Sequence, residues 1–433
     1  MNPLLGTLVL ILLALLGSRF SFSTVRTSLA PRLLFRTGIH FLALGFLLGP
    51  SVVGLIPPEA TAALFPLLAL GLGWVGFHFG LQFDAGLLKQ VPLLHLVAAL
   101  GQALITLGLF LGLSLLAVRA LGADVPLPLL LGAAAAASVS TPAGIAMISS
   151  NFLVKGPVRD LLFLIASVDA LVGIVALQVT YALYRPLGAV PFFGGLDHLS
   201  LVGVAAGMGV VLGIVFIWLS RRRPAAEELV LYVLGICAFA AGAALQWGLS
   251  PLFVSLVMGA VVANLEQDST RVFRLLERWE KPVYLTFLLL AGALLGRPTL
   301  LVLGLAVAYA LLRGIGKAVG AAAMAVALPL RFDVPKRLGL GLIPQGGISL
   351  AMAASGVLVY GRLQVGGAGA EAALFTVVVV GVLFSELAGP FFTLNLLRRA
   401  GEISPDVEAA IARGDQRRAE QEAVRHSVGE KGP

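Results

Sequence analysis

Residues 161–177 read LLFLIASVDALVGIVAL, and the aspartate in the middle, Asp169, has no other charge for eight residues on either side. A run this apolar belongs in a bilayer. A carboxylate at the bilayer centre costs at least ~2.5 kcal/mol on insertion scales, so it persists there only when it faces a protein cavity and has a partner. Asp169 is therefore the first candidate functional residue, and the rest of the chain has to supply the cavity and the partner.

The whole chain has the same character. Of 433 residues 59% are hydrophobic and only 12% charged, with a mean hydropathy of +0.99, whereas soluble domains carry roughly a quarter charged residues. This excludes a soluble enzyme and implies a polytopic membrane protein. Spanning helices need about 20 mostly apolar residues, and that ruler gives about thirteen segments, roughly at 3–17, 33–55, 61–80, 91–118, 125–149, 157–184, 199–220, 228–247, 250–264, 283–296, 299–329, 337–360 and 370–397. Lys and Arg fall on alternating sides of these segments. The loops on one side, from Arg19 to Arg399, hold 19 of them, and those on the other hold only 4, Arg119, Arg185, Arg297 and Arg362. The positive-inside rule then puts the N-terminus outside and the C-terminus in the cytoplasm of a cell (inner) membrane. The first segment lacks a basic leader region and a small-residue cleavage site, and reads as a retained helix. Cys237, the single cysteine, supports neither a disulfide nor a thiolate metal site.

Residues 1–399 thus form a transmembrane transporter domain. Residues 400–433 mix charges of both signs, as in Glu402, Asp406, Glu408, Arg413 and Asp415, and read as a cytoplasmic tail, either a short solvated helix or disordered. Between Gln267 and Lys281, charges alternate with Val272, Phe273, Leu275, Leu276 and Trp279, the pattern of an amphipathic helix lying in the interface.

Two segments are interrupted. The fifth contains SVSTPAG at 138–144 and the twelfth IPQGGIS at 343–349. Proline removes a backbone donor and clashes with the preceding turn, so the freed carbonyls and amides must line a cavity or find partners. One broken helix in each half of the chain is the sequence sign of an inverted-repeat secondary transporter, whose half-helix ends frame an ion site at the membrane midplane. Ser140, Thr141 and Gln345 then supply oxygen ligands beside Asp169 for a monovalent cation, and the same carboxylate takes either the cation or a proton. The bland alternative is a carboxylate locked permanently to a structural partner.

Lys317 and Arg313 lie four residues apart, on one face of the eleventh segment and deep within it. Lys317 is the expected basic partner of Asp169, and Arg313 is expected to bond backbone carbonyls of an interrupted helix. Glu386, in the cytoplasmic half of the last segment, reads equally as an interfacial anchor or a second proton site. His78 reads as a satisfied polar residue near the interface, and Gly203, Gly207, Gly209 and Gly213 as close-packing positions. The chain has no phosphate-binding loop, no His-Glu-x-x-His and no nucleophile elbow. ATP-driven pumping, a cofactor and a nucleic-acid partner are not expected.

These residues carry a resemblance. With FHFGLQFD at 77–84, the Ser140-Thr141-Pro142 break, GPVR at 156–159 leading into the Asp169 helix, LFVSLVMGAVVAN at 252–264, GKAVG at 316–320 and PQGG at 344–347, the chain resembles the monovalent cation:proton antiporters, in particular the branch of bacterial sodium/proton exchangers and glutathione-gated potassium efflux systems. The resemblance covers about residues 30 to 400. It implies a homodimer in which a dimerisation bundle holds still while a core bundle, containing two crossed discontinuous helices, carries the ion site across the membrane. It also implies that Asp169 is the ion-carrying aspartate and Lys317 the basic residue of the core, and that the protein serves sodium or potassium transport and pH homeostasis. The chain departs from the pattern at Val168, where the family usually has Asn, Asp or Gln. Valine can neither ligate a cation nor take up a proton, which points to one-for-one exchange of Na+ or K+ for H+. The competing readings are a sodium-coupled organic-anion symporter, an intramembrane enzyme, disfavoured because an aspartyl protease needs two close acids, and a sensor that keeps the fold without turnover.

Overall fold

The computed structural model describes residues 38–55, 64–184, 198–222, 224–266, 268–328, 335, 337–363, 370–412 and 421–422. The expected first span, the basic residues Arg19 to Arg36 and most of the chain beyond residue 412 lie outside the described residues.

Every regular element described is helical: α1 (Ile39–Leu48), α2 (Phe65–Gly80), α3 (Leu93–Leu121), α4 (Leu127–Ser138), α5 (Pro142–Phe152), α6 (Pro157–Leu183), α7 (His198–Ser220), α8 (Ala226–Gln246), α9 (Pro251–Leu265), α10 (Ser269–Ala293), α11 (Leu300–Ala327), α12 (Gly346–Leu363), α13 (Ala370–Arg399) and α14 (Pro405–Ala412). A single turn at Ala85–Leu88 and a 3-10 stretch at Leu338–Leu342 complete the set. Helices satisfy their own backbone groups, which is the condition for crossing lipid. Their starts follow the local chemistry: proline opens α5, α6 and α9, where its missing N–H removes no bond, and the side chains of Ser250, Asp268 and Thr299 cap α9, α10 and α11.

Packing divides the helices into two bundles. In one, α2 packs against α9 and α8, α9 against α7, and α10 against α1. Gly76 and Gly80 of α2 face Leu252 O and Leu256 O of α9 so closely that an added Cβ would lie 2.3 and 2.1 Å from them. The other bundle joins α3, α4, α6, α11, α12 and α13, with α3 between α6 and α11. Contacts between the two bundles are sparser and run mainly through α6, α7, α9, α2 and α12.

Two expectations change in detail, and both expected interruptions are present. The amphipathic segment and the tenth span are one continuous helix, α10, with Pro282 inside it. The fifth expected span is two helices, α4 and α5, separated by Val139-Ser140-Thr141, and the twelfth is the 3-10 turn followed by α12. The start of the tail is docked rather than solvated. Glu402, Ile403, Val407 and Ala410 are buried, Glu402 accepts hydrogen bonds from Val158 N (2.6 Å) and Arg159 N (2.9 Å) at the start of α6, and Arg398 pairs with Glu408.

Candidate ion site

The two interruptions meet. Thr141 N donates to Pro344 O at 3.1 Å, and Ser140 Oγ donates to Leu342 O at 2.9 Å. Gly346 takes φ +65°, and a Cβ on it would lie 2.7 Å from Thr141 Cβ. Only glycine serves here, because both the backbone angle and the approach exclude a side chain. Gly144 and Gly389 clear space for Pro344 in the same way. The two broken helices therefore cross in contact, with four helix ends inside the membrane domain.

Charged side chains meet those ends. Arg313, fully buried, donates Nη1 to Ile343 O (2.8 Å) and Nη2 to Val139 O (2.7 Å) and Leu342 O (3.0 Å), so it satisfies carbonyls released by both breaks. Glu386, also buried, accepts through one oxygen from Gln345 N and Gly346 N, both at 2.6 Å. A carboxylate against the first amides of α12 is favoured by the helix dipole. This replaces the anchor reading of Glu386: the residue sits inside the core bundle as a cap. Thr141 Oγ1 accepts from Ala143 N and caps α5.

Asp169 and Lys317 form the remaining pair. Both side chains are 0% exposed and lie 2.5 Å apart, Nζ to Oδ2. Lys317 Nζ has a second acceptor, Ser138 O, also at 2.5 Å. The other carboxylate oxygen, Asp169 Oδ1, is buried without a hydrogen-bond partner. Gly173, one turn further along α6, lets α4 come within a Cβ's reach at Ala135 O and Val139. Of the expected oxygen ligands, Ser140 interacts with the Asp169 carboxylate. Gln345 is committed elsewhere, its Nε2 donating to Ala136 O (2.8 Å) and to the Tyr309 hydroxyl (2.7 Å), although its Oε1 has no partner. Val168 is half-buried and packs beside the apolar cluster of Ile145, Ile148, Leu162 and Ile165.

The weaker candidates lie apart from the crossing. His78 on α2 stacks against Phe273 of α10 with ring centroids 5.2 Å apart, and its Nε2 is buried without a protein partner. Gly209 and Gly213 pack α7 tightly on Val257 and Val261 of α9, whereas Gly203 and Gly207 face open space. Cys237 is a buried free thiol. Sequence reasoning missed Tyr309 and Glu402 as contributors. Tyr309 sits four residues before Arg313 on α11, a spacing that could have flagged it.

A crossing of two broken helices around one buried acid-base pair agrees with the family comparison, in which residues 11–398 match the model for the transmembrane sodium/hydrogen exchanger. The chain belongs to the sodium/hydrogen exchanger family. Among solved structures, this exchanger is similar to the sodium proton antiporter MjNhaP1 from Methanocaldococcus jannaschii at pH 8, with 17% identity over 92% of this chain and 99% of that one and a TM-score of 0.68. It is also similar to an electron-microscopy map of MjNhaP1, with a TM-score of 0.61 at 17% identity over 94% of this chain and 100% of that one. At that identity the likeness is one of fold. No curated protein sequence matches the chain. The exchanger family consists of multi-pass membrane transporters that exchange sodium and protons, not enzymes.

Proposed function

We propose that the chain exchanges one monovalent cation for one proton through Asp169, with sodium as the first cation to test and potassium as the second. One observation carries the reading. Of the four charged side chains at the crossing, Asp169 alone makes no hydrogen bond to a backbone group, so it alone can change partners without uncapping a helix end.

In the closed, ion-free site the Lys317 ammonium neutralises the carboxylate. An incoming cation or proton takes its place at Asp169 while Lys317 keeps Ser138 O. The proton-loaded and cation-loaded sites then carry the same net charge, so one-for-one exchange moves none. Glu386 is a poor second proton carrier, because both amides at 2.6 Å would have to be released first. The core bundle moves the loaded site past the α1, α2, α7–α10 bundle, with the chain's basic end in the cytoplasm as the 19-to-4 distribution of Lys and Arg directs. A homodimer through the second bundle is part of the same proposal.

The organic-anion symporter loses ground on the same geometry. The anion reading relies on free helix N-termini, yet Glu386 takes the first amides of α12 and Thr141 takes one amide of α5. The test is proton movement in proteoliposomes with an imposed pH gradient, on adding Na+, Li+, K+ or choline, with Asp169→Asn beside the wild type. Dissipation by one cation, lost in the variant, supports antiport and names the ion; retained exchange with normal cation affinity in Asp169→Asn removes Asp169 from the carrier role.

A further inference from the structure

Gln178 lies on α6 nine residues beyond Asp169, about two and a half turns further along the same helix. It is fully buried, and its role is not accounted for by the ion site. Its Oε1 accepts from Ser250 N at 3.0 Å, while its Nε2 is buried without a partner. Ser250 is fully buried too and belongs to the other bundle, where its hydroxyl caps α9 by accepting from Phe253 N at 3.2 Å. The amide of Gln178 thus reaches out of the core bundle and grips the first turn of a helix in its neighbour.

Two more hydrogen bonds cross between the bundles at the same end of the molecule. His198 Nδ1, at the start of α7, bonds Ala182 O near the end of α6 at 2.8 Å, and Gly296 N, after α10, donates to Thr376 Oγ1 of α13 at 3.4 Å. The residues at this end follow from the helix directions: the ends of α6 and α10 and the starts of α7, α9 and α13. It is the end poor in Lys and Arg. At the opposite, basic end, Ser220 bonds Glu266, Arg271 bonds Pro224 O and Val158 N bonds Glu402, each of these within one bundle.

We propose that the Gln178–Ser250 hydrogen bond is the latch that holds the Asp169 helix against the neighbouring bundle on the outer face, so that this conformation is closed to the outside and Gln178 sets the balance between inward- and outward-facing states. Gln178 is a positioning residue, not an ion ligand. It acts through α6. A buried side-chain amide bonded to a backbone N–H across a sliding interface must break its bond in each cycle, and the unpaired Nε2 leaves it able to find another acceptor once the core has moved. The proposal rests on the antiport reading for its transport test but not for its structural one.

The transport test compares 22Na+ uptake into right-side-out and everted membrane vesicles, which present opposite faces. Apparent affinity scales with the fraction of protein in the competent state, and a net hydrogen bond corresponds to about a fivefold shift in a two-state equilibrium. Gln178→Ala should therefore lower the outer-face KM about fivefold and leave the inner-face KM nearly unchanged. Ser250→Pro, which deletes the donor N–H, should do the same. Ser250→Ala, which keeps the N–H and loses only the cap, should not. A structural role without a latch lowers yield or rate on both faces alike, so an unchanged ratio of the two KM values in folded Gln178→Ala overturns the proposal. An equal shift in Ser250→Ala overturns it too. Should wild-type vesicles exchange neither sodium nor potassium on either face, antiport fails and the latch is read by hydrogen–deuterium exchange in nanodiscs. Faster exchange of the Ser250 amide in Gln178→Ala upholds the latch, and unchanged exchange refutes it.

Discussion

The pairing of Asp169 with Lys317 makes a quantitative prediction about what happens when it is cut on one side and on both. In Asp169→Asn the Lys317 ammonium, with no exposure, keeps Ser138 O and a neutral amide oxygen as acceptors but loses its counter-charge. Removing one partner of a buried ion pair costs about 3–5 kcal/mol. Unfolding entropies near 2.1 cal/mol/K per residue, applied to 433 residues, give about 0.9 kcal/mol/K, so the single variant should melt about 3–6 °C below the wild type. Lys317→Met should fall by a similar amount, because it strands the carboxylate. The double variant contains neither charge and should recover most of the loss. Melting is followed by intrinsic fluorescence of purified protein, with 22Na+ uptake measured on the same samples. All three variants should lack exchange. If the double variant loses the sum of the two single losses, the two groups are not energetically coupled and the carrier scheme built on their pairing is wrong.

Other parts of the crossing give further expectations. Glu386→Gln keeps the shape but gives up a charge-assisted acceptor shared by two amides, a loss of about 1.5–3 kcal/mol; it should melt a few degrees lower yet leave the number of protons exchanged per cation unchanged, and a changed stoichiometry would make Glu386 a proton carrier. Gly346→Ala must place a Cβ 2.7 Å from that of Thr141 at φ +65°, so exchange should be abolished even in protein that still purifies as a folded species; normal rates would mean that the crossing is not held in contact. Val168→Asn adds an amide one residue before the carrier and should shift the preference among Na+, Li+ and K+, an unchanged profile placing position 168 outside the site. Glu402→Ala uncaps two amides at the start of α6 and should lower the melting temperature by roughly 1–2 °C, given the 0.5–2 kcal/mol value of a cap; equal stability would show that the docked tail contributes nothing to that helix.

Much of this architecture was readable in the chain because lipid permits so few structures. Long apolar runs must be helices, proline with glycine inside a run must be a break, and a charge inside a run needs a partner, so Asp169, Lys317 and both interruptions stood out from sequence alone. What stayed hidden depends on the meeting of distant segments. Glu386 caps a helix that begins 40 residues earlier in the chain, and nothing in its own surroundings says whether it faces lipid, water or an amide. Glu402 looked like one charge among many in a polar tail, yet it is fixed by the start of α6, 244 residues away. The tail reading failed for the same reason: composition describes what a segment can bury by itself, and here Ile403, Val407 and Ala410 bury against helices that composition cannot place.

The division of labour at the crossing bears on which group can switch. Breaking two helices inside the membrane exposes carbonyls at the ends of α4 and the 3-10 turn and amides at the starts of α5 and α12. Arg313 has committed both terminal nitrogens to three of those carbonyls, Thr141 holds one amide and Glu386 holds two. Each of these residues would leave a backbone group unsatisfied in a low-dielectric setting if it moved, a loss of about 1–3 kcal/mol per group. Lys317 differs, because Ser138 O and Asp169 Oδ2 are both 2.5 Å from its nitrogen. It can release the carboxylate to an incoming ion and still hold the end of α4. The exchange step therefore costs the structure one side-chain contact and no helix end, which lets the site change its ion without dismantling the crossing that carries it.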